Sequence, residues 1–424
     1  MLTRRKFSKY VVGGATALVP VGNLLSANEQ PPLSDQHSNQ DCDLLIKGGT
    51  VIDPAQHLHG PLDVAVKDGK ILEIAQLFPD SHARKVISAK GKIVTPGLID
   101  IHVHVYEGVG PLGVNADHYC LARGVTTAVD SGSAGASTIL GLRKYVINTS
   151  ATRLYASLDS GNIGAVTFIE SLAWMNPQLA AAAAKDNKPA VVGITARVPQ
   201  KDAGTNDLII LERAREAAEA SNLPMTVHIG GSYSPLSKIL KMMRKGDVLA
   251  HCYNNQSHSL LDEQGKVRPE VWEARERGVL LSVAHDTHRF SFDVAEKCLS
   301  QKLAPDAISS CISANCVQGP VFDLATTLSK FLLLGLNIDK VIELATIKPA
   351  HIFNFGVKLG TIQPGCPADI SLFDLREGNF VFLDSSGEKR MGRQKLISVA
   401  TIRNGDVYIN RNERLTDCQG ASYA

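Results

Sequence analysis

From residue 99 onward, short apolar runs recur at 99–103, 126–129, 154–158, 190–194, 225–229, 248–250, 279–283 and 307–312. Each has the length of a buried strand, and the segments between them carry helical periodicity. Residues 207–220 set Leu, Ile and Ala against Glu and Arg on the other side. Residues 320–334 open on Pro320 and are followed by Gly335, start and stop residues that a helix prefers. Eight strand–helix alternations predict an α/β fold, a parallel (β/α)8 TIM barrel, in which chemistry sits where strands end and loops begin.

Both flanks of the barrel region read as short strands. Residues 44–52 and 63–74 carry turn signals at Gly48-Gly49 and Asp68-Gly69, and residues 370–373 and 399–408 form a matching set near the chain end. These flanks either cap the barrel separately or pair with each other. No internal repeat is visible beyond the strand–helix alternation.

The first residues differ in kind. Arg4, Arg5, Lys6 and Lys9 precede an apolar stretch from Tyr10 to Leu25 with no acid before Glu29. A basic segment followed by an apolar one reads as an export signal over residues 1–27, and the paired arginines resemble the twin-arginine type. The stretch is broken by Gly13, Gly14, Pro20 and Gly22 and falls short of the ~20 residues needed to span a bilayer. The expected product is exported, periplasmic and free of stable membrane association. A polar linker follows at 28–40, and residues 411–424 read as a loose tail.

Composition narrows the function. The formal charge is +2, and the leader's four basic residues account for more than that. No basic field for nucleic acid appears, which leaves a small molecule as the expected partner, while self-association into a homo-oligomer stays open. The eight cysteines are scattered without regular spacing and form no disulfide framework, although Cys311 and Cys316 are near enough in sequence for a local bridge.

The histidines carry the chemistry. His102 and His104 end the first run, and a spacing of two points both imidazoles the same way. His228 ends the fifth run, His251 the sixth and His285 the seventh. Imidazole is the commonest metal ligand, so histidines gathered at successive strand ends predict a metal site.

On Pro96-Gly97-Leu98-Ile99-Asp100-Ile101-His102-Val103-His104, Ser131-Gly132-Ser133-Ala134-Gly135-Ala136, Thr226-Val227-His228, Ala250-His251 with Asn254, Pro349-Ala350 and Leu359-Gly360-Thr361-Ile362-Gln363-Pro364-Gly365-Cys366-Pro367-Ala368-Asp369, the chain resembles the amidohydrolase superfamily. Within it the likeness is to the dihydroorotase-like amidohydrolase/deacetylase group, over about Asp41 to Asn410. The resemblance implies one composite β-sandwich built from 41–94 and 353–410 around a barrel at 95–352. It also implies six metal-site residues: a His pair, a carboxylated lysine on strand four that bridges two metals, histidines on strands five and six, and an aspartate base on strand eight.

Four of the six carry over, as His102, His104, His228 and His251. Thr195 stands where the lysine is expected and Cys311 where the aspartate is expected. Thr195 has no amine to carboxylate, so one zinc-like ion is expected rather than two, since unbridged cations repel. Lys188 lies at the far end of the same strand, and Lys201 lies beyond it in a loop.

Cys311 reads as a fifth metal ligand, as a small core filler or as a reactive thiol. His285 reads as a substitute base or hydrogen-bond donor, or as a loop histidine satisfied by Asp286. Arg197 reads as a clamp for a substrate carboxylate or as the partner of a loop acid.

The expected function is a metal-dependent hydrolase of a small amide or ester, with deacetylase or amidohydrolase chemistry. Its alternatives are a degenerate, non-catalytic barrel that binds a small ligand and a one-metal deaminase.

Overall fold

The computed structural model describes residues 41–167 and 170–410. The expected leader, linker and tail, with Cys418, lie outside the described residues. Among those residues no helix is long and apolar enough to cross a membrane.

Seven parallel strands follow in sequence order around the barrel: Leu98–Val103, Val125–Ser131, Arg153–Asp159, Val191–Arg197, Met225–His228, Val248–Ala250 and Leu280–Ser282. The eighth run, 307–312, closes the circle without forming a continuous strand. It bridges Ser282 through Ala307 and Val103 through Ile312, parallel in both cases. Backbone hydrogen bonds continue along both edges, from Val283 and His285 on one side and from Cys311 and His104 on the other. Cys311 adopts a left-handed backbone with φ 54°, which ends the extended conformation there.

Asp100 ties this closure to the first strand. Its buried carboxylate accepts hydrogen bonds from the Ser310 backbone N–H (3.1 Å), the Ser310 hydroxyl and the His102 backbone N–H (3.2 Å). Burial raises the Asp100 carboxyl to about 7, against those bonds.

Helices pack outside, among them Asp207–Ser221 and Leu324–Leu333. The second starts later than Pro320 suggests, because the Asp323 side chain accepts the Thr326 N–H at 2.6 Å and caps it. One large cluster of buried apolar residues joins the helices to the barrel.

The two chain ends form one eight-stranded sheet. Ile93–Pro96 is its keystone: it pairs in parallel with Leu44–Asp53 and antiparallel with Ile370–Leu383. Asp68 and Gly69, at φ 50° and 70°, turn the hairpin between Leu58–Lys67 and Lys70–Ala75 as expected. Gly48-Gly49 is not a turn. It is a bulge inside Leu44–Asp53, where a Cβ on Gly49 would lie 2.4 Å from Val94 Cγ2.

The hairpin of Ile370–Leu383 and Lys389–Arg403 is much longer than its apolar pattern suggests. Its tip reaches the loop after strand seven. Ser385 N–H donates to the Phe290 carbonyl (3.0 Å), Ser385 Oγ to the Asp286 carbonyl (2.8 Å), and Phe292 N–H to Asp384 Oδ2 (3.1 Å). Asn255, in the loop after strand six, donates to Ser386 Oγ at 2.8 Å.

Candidate metal centre and active site

Four histidines converge at the C-terminal ends of the barrel strands. The His102 ring centroid lies 5.7 Å from that of His104, 4.4 Å from His228 and 5.1 Å from His251, and His228 and His251 are 5.2 Å apart. All four are buried. Burial above all, with the nearby positive charge of Arg289 adding to it, keeps His102, His228 and His251 well below ordinary imidazole basicity and holds His104 at about 4. Neutral imidazoles are the form that binds metal.

Three of the four rings are fixed by a neighbour. His104 Nδ1 lies 3.0 Å from Ser133 Oγ, and His228 Nε2 lies 3.0 Å from Ser131 Oγ. His251 Nδ1 lies 2.6 Å from the Ala284 carbonyl oxygen, which can only accept, so Nδ1 carries the proton and Nε2 presents a lone pair. His102 Nε2 is buried with no hydrogen-bond partner.

Cys311 belongs to this cluster. One donor atom each from His102, His251 and Cys311 lies within 4.8 Å of the others. The register delivers it, since the Cys311 N–H donates to the His102 carbonyl at 2.8 Å. Burial pushes the thiol far up, with Asp286 and Cys316 adding to it. Cys311 and Cys316 are both free, and the Cys316 thiol donates to the Cys311 carbonyl at 3.4 Å.

Several site residues share a left-handed backbone: His251 (φ 61°), Ala284 (41°), Asp286 (58°) and Cys311 (54°). Such conformations cost about 1–2 kcal/mol each for most residues, and they gather where side chains must be aimed.

Two expected roles are redirected by the structure. Arg197 does not face substrate as a free clamp. Its guanidinium is buried between Asp159 (3.1 Å) and Glu170 (2.7 Å), the pairing with acids that its sequence context left open. Burial and the Asp159 charge raise the Glu170 carboxyl, and Arg197 opposes them. His285 does not join the ring cluster. Its Nδ1 lies 2.8 Å from the Asp286 carbonyl oxygen, its Nε2 lies 2.7 Å from Lys330 Nζ, and its ring stacks on Phe290. Both ring nitrogens are therefore engaged away from the site.

Thr195 stands at the end of strand four, its hydroxyl 2.8 Å from Ser157 Oγ. Lys201 is exposed on the short helix Gln200–Ala203. It lines an open cleft of about 480 Å³ with Gln200, Gly230, Gly231, Gln256 and Ser257, all just past the ends of strands four to six.

Sequence reasoning missed the loop after strand seven. Arg289 Nη1 donates to His251 Nε2 at 3.1 Å, and its guanidinium faces Asp202 (3.6 Å) and Asp286 (3.8 Å). Asp286 is the one of these acids with appreciable exposure, its side chain 20 % accessible. The signal available was only an arginine and an aspartate close behind His285, in a loop with no periodicity.

The amidohydrolase family pattern matches residues 93–399, and the chain belongs to that family. A deacetylase of Enterococcus faecalis is 32% identical over 375 residues, covering 87% of this chain and all of that one. A solved structure of an adenine deaminase superposes with a TM-score of 0.81 at 32% identity, over 87% of this chain and 100% of the other. A dihydroorotase structure does so with a TM-score of 0.78 at 26% identity, over 87% and 99%. The TIM-like barrel with a β domain from both chain ends is the architecture of these relatives.

Proposed function

We propose that the protein is a hydrolase of a small amide or ester, of the deacetylase type, that works with one divalent ion. The observation that carries this reading is the unpartnered, buried Nε2 of His102 in a cluster where His102, His251 and Cys311 each bring one donor atom within 4.8 Å of the others. An unsatisfied polar atom at that depth is costly unless something binds it. Two imidazoles and a thiolate form the donor set that zinc prefers. Held there, the ion would polarise a carbonyl and acidify a water.

The chain's own residues prepare the rest. The Ala284 carbonyl fixes the His251 tautomer, and Ser131 and Ser133 orient His228 and His104. Thr195 offers no group to bridge two ions, and its hydroxyl is engaged with Ser157. Cys311 leaves strand eight without a carboxylate, and Asp286, at the mouth of the site, is the acid left to accept a proton from an attacking water. Its charge reaches His104 and Cys311. The cleft beside Gly230 and Lys201 is where a small acylated acid would lie, with Lys201 as the exposed cation nearest a substrate carboxylate.

A panel of N-acylated amino acids and O-acylated hydroxy acids tests the reading, assayed with zinc supplied and again after chelation. Turnover that chelation removes and zinc restores supports it. Turnover that survives complete zinc removal refutes the metal, and Asp286→Asn with undiminished turnover refutes the base.

A further inference from the structure

Building on the one-ion reading of the same site, we infer that Arg289 is a resident cation of the histidine cluster, and that a metal ion reaches His251 only in competition with it. The Arg289 guanidinium lies inside the barrel mouth, its side chain 8 % accessible. Its Nη1 donates to the same His251 Nε2 that the fixed tautomer leaves as a lone pair, at 3.1 Å. That atom is one that a metal at His102, His251 and Cys311 would need.

A buried guanidinium requires acids, and two are provided. Asp202 comes from the short helix after strand four and Asp286 from the loop after strand seven, at 3.6 and 3.8 Å. Neither distance is a close hydrogen bond, and Arg289 Nε has no hydrogen-bond partner. The side chain is thus held by diffuse attraction and by one directed bond, the one to His251.

The physical consequence is a competition between two cations for one lone pair. Where the sequence resemblance implies a bridging lysine on strand four, this chain has Thr195, and the Arg289 guanidinium stands beside His251 instead. Occupancy by metal must displace the Nη1 bond and bring a second positive charge beside the guanidinium.

The test is zinc binding by calorimetry and elemental analysis on the full chain, comparing the native protein with Arg289→Gln, which keeps the stem and removes the charge, and with Arg289→Lys, which keeps the charge. If Arg289→Gln does not fold, Arg289→Met preserves the stem's packing and replaces it. The expected result is zinc bound about tenfold or more tightly, or in greater number, by the neutral variant, with Arg289→Lys close to native. Equal affinity and stoichiometry in native and neutral variants would overturn the role of Arg289 and leave the one-ion reading standing. Zinc bound by the neutral variant and not by the native protein would confirm Arg289 as the resident cation and overturn the one-ion reading. Zinc bound by neither overturns both.

Discussion

Lys330 Nζ lies 2.7 Å from His285 Nε2 inside the shell of helices, with no solvent contact at either side chain. The ammonium also donates to the Pro320 carbonyl at 2.8 Å. Burial pushes Lys330 down to about 7 from an ordinary 10.5, with Asp384 and Asp323 pulling the other way. Between these two values the unfolded chain holds a proton that the folded chain has released. Stability therefore rises with pH across that window and is lowest, from this group, below about pH 7. Lys330→Met should remove this contribution. Denaturant titrations at pH 7 and pH 9.5 check it: the native protein should gain more stability between them than the variant, and parallel curves would contradict it.

Arg197 gives a second prediction, because its two readings differ in what fails. Held between Asp159 and Glu170, it is part of a buried ion network. Removing one partner of such a network costs about 3–5 kcal/mol by leaving unpaired charge behind. Arg197→Ala should thus lower the melting temperature markedly. A variant that melts like the native protein and merely shows a raised KM for anionic substrates would restore the clamp.

The hairpin tip is a third. Ser385 and Asp384 brace the loop that carries Asp286 and Arg289 through four hydrogen bonds, three of them made by their side chains, each worth about 0.5–1.5 kcal/mol net. Asp384→Ala with Ser385→Ala should speed amide exchange across 286–292 and reduce turnover, while strands one to six stay protected. Unchanged exchange in that loop would show that the hairpin merely covers it.

Much of this architecture was written in the apolar pattern. His102 and His104 share a direction because strand side chains alternate, and His228 and His251 follow their strands by a residue or none, so their convergence needs only a parallel barrel. The eighth run was legible as a closure but not as its form, because Ser309 and Ser310 spend their side chains on Ser282 and Asp100, and Cys311 leaves the extended region. Arg289, Asp202 and Glu170 were missed for another reason, and Asp286 was read only as a partner of His285. They sit in loops or on a one-turn helix, where no period marks direction, and their partners are 3 to 87 residues away. The same holds for the hairpin tip, which crosses the sheet boundary to meet Phe290.

Cys311 is the donor least expected from its strand, and its removal is the fourth prediction. Cys311→Ala should lower zinc affinity by about 10–100-fold or more, and binding in the native protein should weaken as pH falls and the thiolate is lost. Cys316→Ser should leave zinc unaffected, since its thiol bonds to a carbonyl and to Ser313. Unchanged zinc in Cys311→Ala would make that residue a core filler.

The pair Thr195→Lys and Cys311→Asp restores the six-residue pattern that the resemblance implies. The double variant should take up a second ion, and each single variant should gain less than the pair, because both changes act on one centre. A double variant that still holds one ion would show that Arg289, and not the missing lysine, limits occupancy.

The most direct measurement is the metal content of native protein purified without added metal, read by elemental analysis alongside hydrolysis of the acylated panel. One zinc-like ion per chain, with activity lost on chelation and regained with zinc, is the predicted result. Two tightly held ions per chain, or full activity in a chain free of metal, would contradict it.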